Sequence, residues 1–451
     1  MIKTTKDSNV EVVIDKDRAS KKLSEMIKCE TISKSDQSHL YKIKNIHEKY
    51  KELFPRLHEE SEVIDIEGTR LFIWRGKNSN RKPIMLMSHS DVVEAEGKWK
   101  HLPFSGYIDD ERVWGRGTQD TKGSLCGILE ATELLIESGF KPEVDVYILT
   151  THDEEIMGIG AKKALEYFKD KNITFELVLD EGGAIISDVM PGLSVKSAMI
   201  GVVEKGYADV KFTVKHKGGH SSAPSKDNPL GRICEFVDEI NKKDPFKVEI
   251  TKPVEEMFNK LSPYMAYPYK LLFSNLWLFR PLIKIIFKKI GGQPIALLKT
   301  TCAFTMASGS DSPNVIPAEA SVTANLRFMI HEKKDESLRK IESIAKRYGL
   351  EMEVLKSHDC SSYTDVNGKS YKYIEKITQN IFPEVAVAPY VMLGCTDSRH
   401  FTEVCENVLR FAPIIMDKQQ LNSVHGIDEN IYIESLKRAV EFYFKFIKEY
   451  K

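Results

Sequence analysis

The side chains with chemical potential fall into a few short clusters. His89 and Asp91 flank a serine, Asp120 closes a glycine-rich run that begins at Val113, Glu154 and Glu155 are adjacent, and Asp180 opens an acidic pair. Imidazole and carboxylate are metal ligands and proton carriers. In combination they suit zinc, with cobalt or manganese as substitutes. Carboxylates crowded together repel one another, and two divalent cations would relieve that repulsion. Two such sites call for another histidine, and His425 ahead of Gly426 is the candidate. Taken singly, a His-Ser-Asp or Glu-Glu step describes an ordinary solvated loop. Their shared position just past apolar runs favours a common metal centre.

Those apolar runs are the elements that must position them. Ile84 to Met87, Val144 to Leu149 and Phe175 to Leu179 read as buried strands, and each ends at one of the clusters. Ligands of open α/β sheets gather beyond the carboxyl ends of strands. Between the strands, Leu125, Ile128, Leu129, Thr132, Leu135 and Ile136 carry helical spacing, with Gly139 as the stop. A helix over 38–54 is expected to end at Pro55. The alternation predicts an α/β domain with a mostly parallel sheet and flanking helices.

Past Val203 the pattern changes. Tyr207 to Val214 alternates like a half-exposed strand, and Gly218-Gly219-His220-Ser221-Ser222 leads into a helix. Two alternating strands, a helix and a strand follow an apolar insertion at 243–298. Without the insertion the order is βαββαβ, a ferredoxin-like α+β domain. The expected division is 1–203 and 359–451 for the catalytic domain, with 204–358 inserted as a lid or dimerisation domain. In isolation His220 reads as a turn residue and Arg327 as a surface charge. His47, His58, His101 and His358 read as structural.

The chain has 451 residues, 42% of them hydrophobic, and a formal net charge of -1. That balance argues against nucleic acid or an anionic membrane as partner. Seven cysteines without CxxC spacing argue against a disulfide framework or thiolate zinc site. The polar stretch 1–13 has no apolar signal core, and Arg280, Pro281 and three lysines interrupt the apolar run at 271–290. A cytoplasmic protein without a membrane partner is expected.

The motifs His89-Ser-Asp91, Gly115-Arg-Gly-Thr-Gln-Asp120, Asp153-Glu154-Glu155, Asp180-Glu-Gly, Gly218-Gly-His220-Ser-Ser-Ala-Pro and His425-Gly, in that order, resemble the dizinc metallopeptidases of the aminoacylase, carboxypeptidase and succinyl-diaminopimelate desuccinylase family. The insertion with Trp277, the Pro313-Asn314 step, Thr396-Asp-Ser-Arg399 and His425-Gly-Ile-Asp-Glu resemble its carboxypeptidase S and N-fatty-acyl-amino-acid hydrolase branch. The resemblance implies that His89 and Asp180 bind one zinc, that Glu155 and His425 bind the other, and that Asp120 bridges them. It implies that Asp91 orients His89, that Glu154 is the general base, and that His220 is an oxyanion donor, from its own chain or across a homodimer. Arg327, Asn314, Gly394, Thr396 and Arg399 are the implied contacts to a substrate carboxylate. At Cys395 a small or amide residue is expected, and a buried filler is the simplest reading. The expected activity is a carboxypeptidase or dipeptidase acting on a small peptide beside its free carboxylate. The alternative is an N-acyl-amino-acid amidohydrolase.

Overall fold

A computed structural model describes residues 14–187 and 189–451, so the polar stretch 1–13 lies outside the described residues. The large domain is built on a ten-stranded sheet. At its centre Ile84–His89 runs between Val146–Thr151 and Leu177–Asp180, parallel to both. All six residues of Ile84–His89 are buried, as are all six of Val146–Thr151, because helices cover both faces.

The sheet is mixed, not mostly parallel. The Glu67-Gly68 turn folds Glu62–Ile66 back on Thr69–Trp74, which then lies antiparallel to Val146–Thr151. On the other side, Val408–Arg410 runs parallel to Leu177–Asp180 but meets Ser197–Glu204 antiparallel. The hairpin reverses one strand, and the turn back from Ile185–Ile186 to Ser197–Glu204, ahead of the smaller domain, reverses another.

Helices fill in as the apolar spacing requires. Lys122–Glu137 is buried nearly all round and packs on the C-terminal helix Ile433–Glu449. Gly139 follows it at φ 74°, a conformation glycine adopts without penalty. Pro55 does not merely end the Leu40–Leu53 helix. It opens the next one, Pro55–Glu60, where its missing N–H costs nothing.

The smaller domain is a four-stranded antiparallel sheet in the order 301–308, 319–328, 206–215, 351–358. Helices Pro229–Lys243 and Lys334–Arg347 pack on it over a core that includes Phe212, Phe236 and Leu326. The apolar insertion is helical: Lys252–Leu261, Tyr269–Ser274, Leu276–Ile290 and Gly292–Ala296. Its inner side, with Phe258, Phe273, Ile283 and Phe287, joins the core of the large domain. Among the described residues no helix is long and apolar enough to cross a membrane.

Candidate active site

Three strand ends and two loops converge at one edge of the large sheet. His89 is the last residue of its strand, and its register partner is Thr151, from which the chain runs on to Glu154 and Glu155. Its Nε2 lies 3.0 Å from Asp120 Oδ1. The other Asp120 oxygen lies 3.1 Å from His425 Nε2, which is also 3.1 Å from Glu155 Oε2. One carboxylate thus spans two imidazoles. His89, Asp120 and Glu155 each offer a ligand atom within 4.8 Å of the others.

Electrostatics at this edge fit a cation. Burial raises the carboxyls of Glu154, Glu155 and Asp180. Burial acts the same way on Asp120, but hydrogen bonds from His425 and His89 outweigh it and hold that carboxyl low. Those to Asp120 and Glu155 lift the His425 imidazole to about 10. Glu155 Oε1 is buried with no hydrogen-bond partner among the described residues. An orphaned carboxylate oxygen beside two imidazoles is an acceptor that a divalent ion would satisfy.

Asp91 works at close range on both sides of the site. The His89 Nδ1 lies 2.9 Å from the Asp91 carbonyl and 3.4 Å from its carboxylate. The same carboxylate accepts the backbone N–H groups of Glu154 at 3.2 Å and Glu155 at 3.1 Å. It therefore fixes the turn that carries both glutamates. Asp153 faces away and caps the next helix by accepting from the Ile159 and Gly160 amides.

Asp180 ends its strand at the same edge, where its carboxylate accepts from the Ser398 amide at 2.9 Å and its neighbour Glu181 at 2.9 Å. Thr396 turns its hydroxyl to the buried Glu204, 2.7 Å away. Glu204 also binds Arg410 at 2.6 Å, and both side chains are fully buried. Arg410 pairs in register with Asp180. A buried ion pair thus underlies the loop that supplies Thr396, Ser398 and Arg399.

A second support is Glu429. Its buried carboxylate accepts from the amides of Gly117, Gln119 and Asp120 and from Arg116 Nη1 at 2.7 Å. Arg116 Nη2 donates to the Gly426 carbonyl at 2.8 Å. This unit couples the Asp120 loop to the His425 loop.

Arg327 lies over the Tyr207 ring and reaches Cys395 Sγ at 3.4 Å, which places it beside the 394–399 loop. A side chain at Gly394 would meet nothing within 4 Å, so this loop borders open space. Arg399 is largely buried, holds the Thr396 carbonyl and leaves its Nε without a partner. Burial pushes the Cys395 thiol up to about 11, in keeping with a filler. His358, read from sequence as structural, stands 3.5 Å from Cys395 Sγ and stacks on Tyr207.

His220 and Asn314 form a separate group. Their segments pair as two short strands, and Ser221 donates its amide to the Asn314 carbonyl at 3.0 Å. The exposed His220 ring holds the Ser222 hydroxyl at 2.8 Å, and among the described residues His220 is not part of the His89, Asp120 and Glu155 group. Sequence reasoning missed Glu204, Arg410, Arg116 and Glu429 as supports. The one available signal was a lone acid ending an apolar run, as at Glu204.

Comparison with known proteins decides the family. The sequence profile of peptidase family M20/M25/M40 matches residues 85–449. The chain belongs to that family. It is a metal-dependent hydrolase acting on amide bonds near a free amino-acid carboxylate. It is 36% identical to probable carboxypeptidase S-like 2 of Dictyostelium discoideum, over 89% of this chain and 78% of that protein. It is 32% identical to the N-fatty-acyl-amino acid synthase/hydrolase PM20D1 of Xenopus tropicalis, over 94% of this chain and 84% of the relative. In fold it is similar to the M20 family metallo-carboxypeptidase Sso-CP2 from Sulfolobus solfataricus, with TM-score 0.70, 19% identity, and coverage of 95% of this chain and 98% of the other.

Proposed function

We propose that this M20 hydrolase is an N-acyl-amino-acid amidohydrolase with a two-cation centre, cleaving an apolar acyl group from an amino acid. The observation that carries the two-cation reading is Asp120, whose two oxygens face two different imidazoles. His89 and Asp180 would hold one ion, Glu155 and His425 the other, and Asp120 both. Zinc fits this donor set, with cobalt or manganese as substitutes. Bound there, the ions would supply Lewis acidity toward the scissile carbonyl and acidify water.

The chain's own groups do the rest. Glu154 sits next to a ligand without being one. Its carboxylate takes a proton from water as the water oxygen attacks the carbonyl carbon. The same carboxyl returns that proton to nitrogen as the C–N bond breaks. Asp91 holds Glu154 and Glu155 in place through their amides. Arg327, Arg399 and the open edge at Gly394 would receive the substrate carboxylate, which a planar guanidinium can bind through both oxygens. Thr396 acts there by fixing the course of the loop, since Glu204 accepts both its hydroxyl and its backbone amide. His220, with Asn314 beside it, would reach the oxyanion when the smaller domain closes or from a second copy of the chain. That role treats 204–358 as an inserted lid between the two parts of the catalytic domain.

Deacylation is favoured over dipeptide cleavage by the similarity to an N-fatty-acyl-amino acid synthase/hydrolase. A panel of dipeptides and N-acyl amino acids of increasing chain length, assayed with added zinc, tests the choice. Highest kcat/KM on long acyl chains is expected. Turnover of dipeptides alone would return the protein to the carboxypeptidase or dipeptidase reading.

A further inference from the structure

The Leu276–Ile290 helix has two apolar faces, and the fold uses only one. Leu276, Ile283 and Phe287 point inward and are buried. On the outward side Trp277 is 78% exposed, Leu278 55%, Leu282 45% and Ile285 65%. Solvent-facing helix positions are ordinarily polar, and a run of large apolar side chains there marks an interaction surface.

The charge around this face is one-sided. Residues 257–310 contain seven Lys or Arg and no Asp or Glu, in a chain whose totals nearly balance. Some of these cations are neutralised by acids from outside the stretch, as Arg280 is by Glu255 and Lys260 by Glu375. Lys284, Lys288 and Lys289, on the same helix as the exposed apolar residues, form no ion pair among the described residues. A net charge of -1 for the whole chain conceals this asymmetry, and the expectation of no anionic-membrane partner rested on that total.

We propose that the outer face of Leu276–Ile290 docks on an anionic lipid surface, with Trp277, Leu278, Leu282 and Ile285 entering the interface and Lys284, Lys288 and Lys289 meeting headgroup charge. Tryptophan and aliphatic side chains flanked by lysines are the composition of a helix that lies in a lipid interface without spanning it. A second copy of this chain is a poorer occupant, because symmetric pairing would set the same unneutralised lysines against each other. The proposal is independent of which amide the enzyme cleaves. It would bring the enzyme to the phase where amphiphilic molecules collect.

The test is co-sedimentation of the full-length, zinc-loaded protein with phosphatidylcholine vesicles, with and without about 30 mol% phosphatidylserine. Two variants accompany it, K284E/K288E/K289E and W277S/I285S, with thermal midpoints measured to show that both fold. The protein is expected to pellet with the anionic vesicles and not the neutral ones. Each variant should lose at least about tenfold in vesicle affinity, and added salt should weaken the wild type. Failure to bind anionic vesicles, equal binding to neutral ones, or folded variants that bind like wild type would overturn the proposal. So would a concentration-dependent dimer that W277S/I285S abolishes without any vesicle binding.

Discussion

Glu154 and Glu155 are neighbours with different surroundings. Burial raises both carboxyls, but Glu155 also meets the His425 imidazole, whereas the raised Glu154 is left as a proton carrier. Glu154→Gln is expected to keep its metal content and lose about 10²- to 10⁴-fold in kcat. Metal analysis alongside steady-state kinetics checks both halves, and retained turnover would remove Glu154 from the base role. Arg327 is held by Tyr207 and Cys395 at the edge of open space. Arg327→Ala should raise KM by about tenfold or more for substrates with a free carboxylate, from loss of a charge-assisted contact. Amidated substrates provide the control, and an equal effect on them would contradict carboxylate binding. Glu154 stood out in sequence because it follows an apolar run, whereas Arg327 read in isolation as a surface charge and took its expected role from the family resemblance. Glu429 did not stand out. Its work is to collect the backbone amides of a loop over 300 residues away in sequence, and no local pattern records that.

At the scale of elements, Glu204 and Arg410 connect the central strands to the 394–399 loop. Arg410→Met would leave Glu204 buried without its cation, a loss of about 3–5 kcal/mol. Denaturant titration measures it, and a change under about 1 kcal/mol would show that the hydroxyls of Thr396 and Ser398 suffice for Glu204. KM should rise as well, because the same carboxylate holds Thr396. The strands before His89, Glu154 and Asp180 could be read directly from their apolar runs. Ala386–Met392 could not, because Pro389 interrupts it. The structure tolerates that proline because, among the described residues, the strand pairs only with Ser197–Glu204 and its other edge carries no strand. Ser197–Glu204 was given no assignment in sequence, since Gly201 breaks its apolar run where Met392 and Arg410 pack close. Sheet direction was misjudged for a related reason. Apolar runs report burial, and only pairing partners decide parallel from antiparallel.

The whole molecule brings together groups scattered from His89 to His425. Four of the proposed ligands lie in the part of the large domain before the smaller one, and His425 arrives after it. The Arg116–Glu429 unit spans the same junction. The proposed two-cation centre is therefore a product of the assembled large domain, and its loss should be felt throughout. Chelation is expected to abolish activity and lower the thermal midpoint, because ions bound only by the folded state stabilise it by mass action. An unchanged midpoint in the fully chelated protein would separate metal binding from folding.

The most direct test is metal stoichiometry during reconstitution. Apo-protein titrated with zinc, with bound metal and amide hydrolysis followed together, should reach full activity at two ions per chain, and Asp120→Ala should retain neither ion tightly. Full activity at one ion per chain, or two tightly held ions without Asp120, would contradict a bridged two-cation centre.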